Sequence, residues 1–321
     1  MLKTQLKIGA WASSMQKIEP AVDEFFVTWL VSKKCNYDCT YCGRGSHDIN
    51  GIVESNQTYI DQFNSLYKLI SNRSNIHINI TGGEPTELGD LIGLCKHIKT
   101  VDSNIVLNVN TNGSKGVNYY LELAKWINYL DVSLHFEYVK LQAFLKKMGK
   151  LQQKIKSMLN VYVMAEIDYF DQCKKTCEIL DKFNFNFILS SIMHEDYPDH
   201  YLALFDKYKN DAVIKDVIVD GVPTSSLDVK NFLINDWHSK TDKNYFSGWR
   251  CWATSRSLSI IEGTLYGGMC MIKKYGKIQD TVNLIDNVIC QNGLLDDESI
   301  YTFQGNCMCN ADIRTRKVRY G

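Results

Sequence analysis

Between residues 25 and 195 the chain alternates short apolar runs with longer amphipathic stretches. The apolar runs are bounded by turn residues and predict strands, whereas the stretches between them have helical periodicity. Such alternation is typical of a parallel sheet built from right-handed βα units. The predicted strands lie at 25–31, 75–81, 105–111, 131–137, 161–167 and 185–191. The sequence therefore predicts an α/β fold, a partial (β/α)6 TIM-like barrel that is open rather than closed.

The pattern changes after residue 195. Residues 196–248 are more polar and less regular, and they predict a helical bridge. Short β segments return after residue 249, where Glu262 and Gly263 supply the turn of a predicted hairpin in RSLSIIEGTLYGGMCMI. We therefore expect a barrel over residues 1–195, the bridge, and a small C-terminal hairpin-containing domain over residues 249–321.

Charge and cysteine content limit the class of protein. Lys+Arg and Asp+Glu both number 36, so net charge gives no reason to expect nucleic acid or an anionic membrane as a partner. The N-terminal segment lacks the layout of a secretory signal, and no apolar run is long enough to cross a bilayer. We expect a cytoplasmic protein, in which 11 cysteines favour metal or redox chemistry over disulfides.

Three cysteines follow the first predicted strand in CNYDCTYC, at Cys35, Cys39 and Cys42. Thiolates are the preferred ligands of iron–sulfur clusters, and three of them around a cubane of four irons leave one iron without a protein ligand. An open coordination position is typical of a catalytic metal, whereas a structural site tends to be closed. The alternative is a zinc site, which usually takes four ligands, with His47 as a candidate for the fourth.

A second motif, ITGGEP, follows the second predicted strand at residues 80–85. Gly82 and Gly83 let the backbone approach a ligand at the carboxyl end of the sheet, and Glu84 offers a carboxylate to an ammonium group. The same residues also suit an ordinary strand-to-helix turn, because proline fits the first turn of a helix and glutamate its positive end.

The C-x3-C-x2-C spacing with Tyr41 before the last cysteine, followed by GGE, resembles the radical S-adenosylmethionine (SAM) superfamily. The resemblance implies that the three cysteines bind a 4Fe-4S cluster whose open iron is chelated by SAM, and that Gly82, Gly83 and Glu84 bind the SAM amino group. It also implies cleavage of SAM to a 5'-deoxyadenosyl radical, which abstracts a hydrogen from a substrate. A one-electron donor such as flavodoxin or ferredoxin is then the expected protein partner.

Polar residues of later strands are further candidates for SAM contact. In the family, polar ends of the third strand contact the SAM ribose or carboxylate, which implies Asn110, Thr111 and Asn112 here, although these residues also suit a simple turn. Ser133 and His135 occupy alternate positions of the fourth predicted strand, where polar residues favour SAM or substrate contact. For His135 the alternative is a hydrogen-bonded core imidazole. Glu166 lies where the family often contacts adenine, but core packing is the simpler interpretation.

A second set of five cysteines occupies the last quarter of the chain. This density favours a second metal site, and zinc fits the composition as well as iron–sulfur does. In radical SAM enzymes with a twitch or SPASM-like domain, a cysteine, a hairpin and later cysteines bind an auxiliary 4Fe-4S cluster. The resemblance thus implies one auxiliary cluster, with Cys290 competing for a place among the ligands Cys251, Cys270, Cys307 and Cys309. The C-x-C spacing of the last pair differs from the commoner C-x2-C.

The resemblance implies an enzyme, and no catalytic side chain is assigned by the sequence. Only 24 residues precede the first predicted strand, which disfavours a leader-guided peptide substrate. We expect a small polar substrate, such as a sugar, nucleotide or amino-alcohol, with net oxidation or epimerisation, and peptide modification is the alternative. A metal-binding module and a thiol oxidoreductase are the alternatives from other classes. No C-x2-C pair begins a predicted helix, which argues against the thiol enzyme.

Overall fold

A computed structural model describes residues 17–20, 23–42, 47–192, 197–208, 217–219, 222–223, 249–268, 270–271, 273–289 and 316–319. The chain divides into two compact units. One comprises residues 29–67 and 76–210, and the other residues 1–28, 68–75 and 211–321. The predicted domain boundaries at residues 195 and 248 stay predictions, because residues 224–248 lie outside the described part.

The strands are β1 (Lys17–Pro20), β2 (Phe25–Leu30), β3 (Ile76–Thr81), β4 (Val106–Thr111), β5 (Tyr129–Leu134), β6 (Leu159–Met164), β7 (Asn186–Ser190), β8 (Val217–Val219), β9 (Val222–Pro223), β10 (Arg250–Cys251), β11 (Ser257–Ile261), β12 (Thr264–Gly267), β13 (Lys273–Lys277), β14 (Val288–Ile289) and β15 (Lys317–Val318). The α-helices are α1 (Asn56–Ile70), α2 (Leu91–Val101), α3 (Val117–Leu123), α4 (Leu141–Ile155), α5 (Phe170–Lys182), α6 (Asp199–Lys207) and α7 (Ala253–Arg256). Single 3-10 turns occur at Pro85–Glu87, Ile167–Tyr169 and Ile278–Asp280.

Strands β2 to β7 follow one another in spatial order, and β3 to β7 pair in parallel. Helices separate successive strands from β2 to β7, so this part of the chain is a series of βα units. This arrangement confirms the predicted α/β class, with the strand order of a partial (β/α)6 barrel.

The two faces of the parallel sheet differ in polarity. Successive residues of a strand point to opposite faces. On one face the side chains are apolar and fully buried, and this face includes Ile78, Ile80, Leu107, Val109, Val132 and Val161. Helices α4 and α5 contact β6. The alternate positions of the same strands are half-buried or polar, as in the burial patterns of β3, β4 and β6. The sheet thus has one face for the apolar core and one face rich in hydrogen-bonding groups.

Two strands lie earlier in the sequence than predicted. The predicted strands 131–137 and 161–167 are β5 (Tyr129–Leu134) and β6 (Leu159–Met164). After β5 the chain turns, because the amides of Tyr138 and Val139 both donate to the His135 carbonyl. After β6 the Tyr169 amide donates to the Glu166 carbonyl and begins a 3-10 turn. His135 and Glu166 are therefore loop residues at the carboxyl edge of the sheet, and the prediction that His135 is a strand residue was wrong.

The other unit contains antiparallel strands. One sheet has the order β14-β10-β15-β1-β8-β9, and β11, β12 and β13 pair antiparallel in that order. The predicted hairpin is confirmed, since Ile261 pairs with Thr264 across a two-residue turn. Glu262 and Gly263 in that turn have φ values of 47° and 76°, which suit the twist of a tight hairpin. No described helix has the length and apolar character that a transmembrane span requires.

Candidate functional site

The first three cysteines lie in the loop after β2, at the carboxyl edge of the parallel sheet. Cys35 and Cys39 are buried and Cys42 is half-buried. The Cys42 amide donates to the Cys39 carbonyl at 3.1 Å, which folds the loop back on itself. Burial raises the pKa of Cys39 to about 12, and negative charge on Glu137, Cys42 and Cys35 adds to this. The three sulfur atoms therefore lie within electrostatic reach of one another.

These thiols fit a cluster held by three protein ligands. Burial is the main cause that raises the pKa of Cys35 as well, so both thiols stay neutral until a bound cation stabilises the thiolates. Among the described residues, no three His, Cys, Asp or Glu side chains converge on the position of a single metal ion. His47, the candidate for a fourth zinc ligand, instead pairs with Asp38 at 2.8 Å. The donor set is thus three soft sulfurs in one loop, which suits iron–sulfur chemistry.

The loop after β2, residues 31–42, is here called the cysteine loop. The two glycines of ITGGEP lie against its backbone. The Gly83 amide donates to the Ser32 carbonyl at 2.8 Å, and the Glu84 amide donates to the Lys34 carbonyl at 2.7 Å. A Cβ atom on Gly82 would lie 2.4 Å from the Ser32 carbonyl oxygen, and one on Gly83 would lie 2.3 Å from that of Lys34. Both positions therefore require glycine for the approach of two backbone segments. Their contact with the SAM amino group stays a prediction.

The Glu84 side chain is buried and accepts three hydrogen bonds from within the chain. Its Oε1 accepts from the Thr86 amide at 2.9 Å and from Thr111 Oγ1 at 2.7 Å, and its Oε2 accepts from the Asn112 amide at 2.6 Å. Burial raises the pKa of Glu84, while these bonds lower it. Asn112 Nδ2 donates to Asn36 Oδ1 at 2.7 Å, so the end of β4 also holds the cysteine loop. Glu84 thus forms the ordinary helix-start turn, and its binding of SAM stays a prediction.

The turn after β5 contacts the cysteine loop through charged and aromatic groups. His135 Nδ1 lies 3.5 Å from Cys39 Sγ and is hydrogen-bonded to the Tyr41 hydroxyl. Burial lowers the pKa of His135 to about 4, so the imidazole is neutral. The Glu137 carboxylate accepts from the Thr40 amide at 3.1 Å and from the Thr40 hydroxyl. His135 therefore lies against the cysteine loop, as a hydrogen-bonded imidazole.

Aromatic rings extend this contact, and the sequence interpretation missed them. Tyr37 of the cysteine loop stacks on Tyr138, with ring centroids 4.8 Å apart and planes 12° apart. The Tyr138 hydroxyl donates to the Asp38 carbonyl at 2.7 Å. The sequence signal was the segment HFEY directly after a strand, which combines two aromatic and two ionisable side chains. Because the strand was predicted to continue through it, that segment was not assigned to the loop.

Two other predicted contact residues lie on the half-buried face of the sheet. Asn110, on β4, has a buried Oδ1 without a hydrogen-bond partner in the described part of the chain. Ser133, on β5, is half-buried on the corresponding face. Thr111 points to the opposite side of β4, where its hydroxyl bonds to Glu84, so it does not share the face of Asn110.

Glu166 carries a buried carboxyl group at the end of β6. The residue is 4% exposed, and its Oε1 accepts from the Phe136 amide at 2.7 Å. Its Oε2 has no hydrogen-bond partner among the described residues. Burial raises the pKa of Glu166 to about 7. A carboxyl group that titrates near neutrality beside the cysteine loop is suited to holding or releasing a proton.

Replacing Glu166 with glutamine is expected to flatten the pH dependence of stability. The folded-state pKa of about 7 lies above the ordinary value of a glutamate, so the folded chain holds the proton more tightly. The stability that this group contributes is therefore fully present below the ordinary pKa, and it is lost as the pH rises through the folded pKa. Thermal unfolding of the anaerobic protein between about pH 5.5 and 8, where this titration falls, should show a smaller decline for E166Q than for the wild type.

Glu122→Gln is the control for this comparison. Glu122 is an exposed residue whose ion pair with Lys125 is worth little, so its replacement should leave the wild-type slope in place. If the unfolding temperature of E166Q declined with pH as steeply as that of the wild type, the assignment of a pKa raised by burial to Glu166 would be contradicted.

The second set of cysteines is only partly described. Cys251 is buried at the end of β10, and Cys270 is half-buried after β12. Cys290, Cys307 and Cys309 lie outside the described residues. The auxiliary cluster and its ligand set stay predictions.

Part of the chain is similar in sequence to known proteins. Residues 29–163 match the model of the Radical SAM superfamily. A probable GTP 3',8-cyclase of Thermococcus kodakarensis is 30% identical over 106 residues, which is 33% of this chain and 33% of that protein. The chain thus covers a third of the length of this curated relative.

Two solved structures share the fold at low sequence identity. The structure of anSMEcpe with bound AdoMet has a TM-score of 0.51 and 16% identity, and covers 80% of this chain and 78% of its own. SuiB of Streptococcus suis bound to S-adenosylmethionine has a TM-score of 0.53 and 13% identity, and covers 80% of this chain and 64% of its own. At these identities the likeness shows the fold alone.

The matched region contains most of the site described above, although Glu166 lies just beyond it. It includes the cysteine loop, the ITGGEP turn, and the ends of β4 and β5 that contact the loop. The family implies a 4Fe-4S cluster and SAM as cofactors, and the three thiols of Cys35, Cys39 and Cys42 fit the cluster. Residues 29–163 are therefore similar to the Radical SAM superfamily in sequence, and the solved structures share the fold.

Proposed function

We propose that this chain is a radical SAM enzyme that abstracts a hydrogen atom from a small polar substrate. The observation that carries this proposal is the set of three thiols, Cys35, Cys39 and Cys42, in one loop that is braced from the ends of β3, β4 and β5. With its bound cluster and SAM, this site would supply the electron that cleaves SAM and the 5'-deoxyadenosyl radical that reacts with the substrate. The similarity of residues 29–163 to the Radical SAM superfamily supports an enzyme in general terms.

The residues around the loop have positioning and protective roles in this proposal. The backbone bonds of Gly83 and Glu84 and the Asn112–Asn36 bond fix the loop in place. Neutral His135 contacts the Cys39 sulfur, and hydrogen bonding to cluster sulfurs is one of the means by which a protein sets a cluster's reduction potential. A braced, buried loop excludes water, which protects reactive species from side reactions.

We propose net oxidation or epimerisation as the reaction, with a sugar, nucleotide or amino-alcohol as the class of substrate. Glu166 supports the oxidation, in which the substrate radical loses a proton and an electron, because its carboxyl titrates near neutrality and could accept that proton. The auxiliary 4Fe-4S cluster, held by Cys251, Cys270, Cys307 and Cys309 with Cys290 in competition, would serve electron transfer. Flavodoxin or ferredoxin is the proposed one-electron donor.

Peptide modification is the second candidate. One solved structure of SuiB, which covers 82% of this chain, holds the precursor peptide SuiA. This likeness at 14% identity supports the shared fold and keeps the alternative in the test. Candidate substrates assayed with the reconstituted protein should therefore include peptides as well as small molecules.

The proposed function is tested by anaerobic reconstitution with iron and sulfide, followed by reduction and addition of SAM. We expect 5'-deoxyadenosine in the products, quantified by liquid chromatography with mass detection. A chain that loads about eight irons, the content of two cubanes, and yields no 5'-deoxyadenosine with any reductant would contradict the enzymatic proposal.

A further inference from the structure

We propose that the polar face of the sheet binds a ligand that presents hydrogen-bond donors, one of them a protonated amine. The binding surface is a row of side chains on β3, β4, β5 and β6, here called the inner row, which consists of Asn79, Asn108, Asn110, Asp131 and Asn160. This inference deepens the proposed function and rests on it where the ligand is taken to be the substrate.

The strand register places the inner row in one continuous patch. Asn79 pairs with Asn108 across β3 and β4, Asn110 pairs with Asp131 across β4 and β5, and Asp131 pairs with Asn160 across β5 and β6. Asn108 and Asn110 are two residues apart on β4, so they point to the same face. The intervening positions carry the buried apolar side chains of the opposite face.

Asp131 is the charged centre of the inner row. It is 5% exposed, and its two carboxylate oxygens accept from Asn108 Nδ2 at 2.7 Å and from Asn160 Nδ2 at 2.8 Å. Burial raises the pKa of Asp131, and these amides together with the Tyr162 hydroxyl lower it. The two amides and the hydroxyl are uncharged donors. Among the described residues, the Asp131 carboxylate therefore receives hydrogen bonds from neutral groups and none from a cationic side chain.

Three amide oxygens of the inner row have no donor. The Oδ1 atoms of Asn79, Asn108 and Asn110 are buried and lack a hydrogen-bond partner in the described part of the chain. For Asn108 the assignment of nitrogen and oxygen is fixed by its bond to Asp131, because the carboxylate needs a donor. An unpaired buried acceptor lowers folding stability, and an apolar side chain of similar shape would avoid that cost.

The chemistry of the row selects its ligand. The amide oxygens that lack donors are complementary to O–H and N–H groups. The Asp131 carboxylate accepts only from neutral donors, so it favours an added positive charge. The same acceptors repel phosphate and carboxylate groups. Within the proposed substrate classes, the inner row therefore favours an amino-alcohol or amino sugar over a nucleotide.

The test compares D-glucosamine and D-glucose, which differ by an ammonium group and a hydroxyl at one carbon. Binding is measured by calorimetry on the anaerobic, reconstituted full chain in the presence of SAM. The wild type should bind glucosamine at least about tenfold more tightly than glucose, the factor expected of one charge-assisted contact. Asp131→Asn should remove this preference, whereas Asp61→Asn, an equal charge change on exposed α1, should preserve it.

Asn79→Leu separates ligand binding from a structural role. Asn79 makes no side-chain hydrogen bond among the described residues, so leucine should raise the thermal unfolding temperature. We expect the same variant to bind glucosamine about fivefold less tightly, because one acceptor is lost. Unchanged glucosamine binding in both N79L and D131N, or a wild type that does not prefer glucosamine, would overturn the inner-row proposal. SAM cleavage without sugar, measured in parallel, distinguishes this outcome from failure of the proposed function.

Discussion

A chain with Cys35, Cys39 and Cys42 all replaced by alanine is expected to yield no 5'-deoxyadenosine and to hold about half of the wild-type iron. The three thiols are the proposed protein ligands of the SAM-binding cluster. About four of eight irons should remain, because the proposed auxiliary cluster has its own cysteines. The loop that carries the three cysteines should keep its conformation, because it accepts backbone hydrogen bonds from Gly83 and Glu84 that do not involve the sulfur atoms.

Iron content per chain and 5'-deoxyadenosine are the two measurements for this variant. Cys95→Ala is the control, because Cys95 is a fully buried residue on the apolar side of α2 and should serve packing alone. It should keep the full iron load and the product. Unchanged iron in the triple variant would reject the ligand assignment, and complete loss of iron would reject a separate auxiliary cluster.

The fold and the position of the cysteine loop followed from the sequence because their signals are local. Alternating apolar runs and amphipathic stretches specify βα units wherever they occur. The turn at Glu262 and Gly263 was predicted for the same reason, since a two-residue hairpin depends on the conformational preferences of its own residues. Cysteine spacing likewise identified the donor set without knowledge of the fold.

The contacts that brace the loop could not be predicted, because they depend on strand ends and on register. The Asn112–Asn36 bond joins residues 76 positions apart, and the Cys39–His135 contact joins residues 96 positions apart. His135 was predicted within a strand, and only the turn formed by its carbonyl places it in the loop. The inner row could not be predicted for the same reason, because it also depends on strand register. Asn110 was a candidate from its own strand, but its alignment with Asp131 is set by pairing between strands.

Gly83→Ala is expected to lower both 5'-deoxyadenosine formation and iron loading at the first site, each by more than about tenfold. The new Cβ would lie 2.3 Å from the Lys34 carbonyl oxygen and 2.4 Å from that of Lys33. Both atoms belong to the backbone, so no side-chain rotation relieves the clash. The loop must move, which breaks two hydrogen bonds. The Gly83 amide donates one of them to the Ser32 carbonyl, and the Glu84 amide donates the other to the Lys34 carbonyl.

Gly149→Ala is the matched control, because a Cβ at Gly149 meets no atom within 4 Å. Gly149 lies in α4, where alanine favours the helix by about 1 kcal/mol, so this variant should unfold at a higher temperature and keep its iron. Iron loading of G83A without SAM distinguishes the two interpretations of ITGGEP. If Gly83 only lets SAM approach, iron loads normally and SAM binding alone fails. If Gly83 holds the cysteine loop, as its contacts indicate, iron loading falls before any SAM is added.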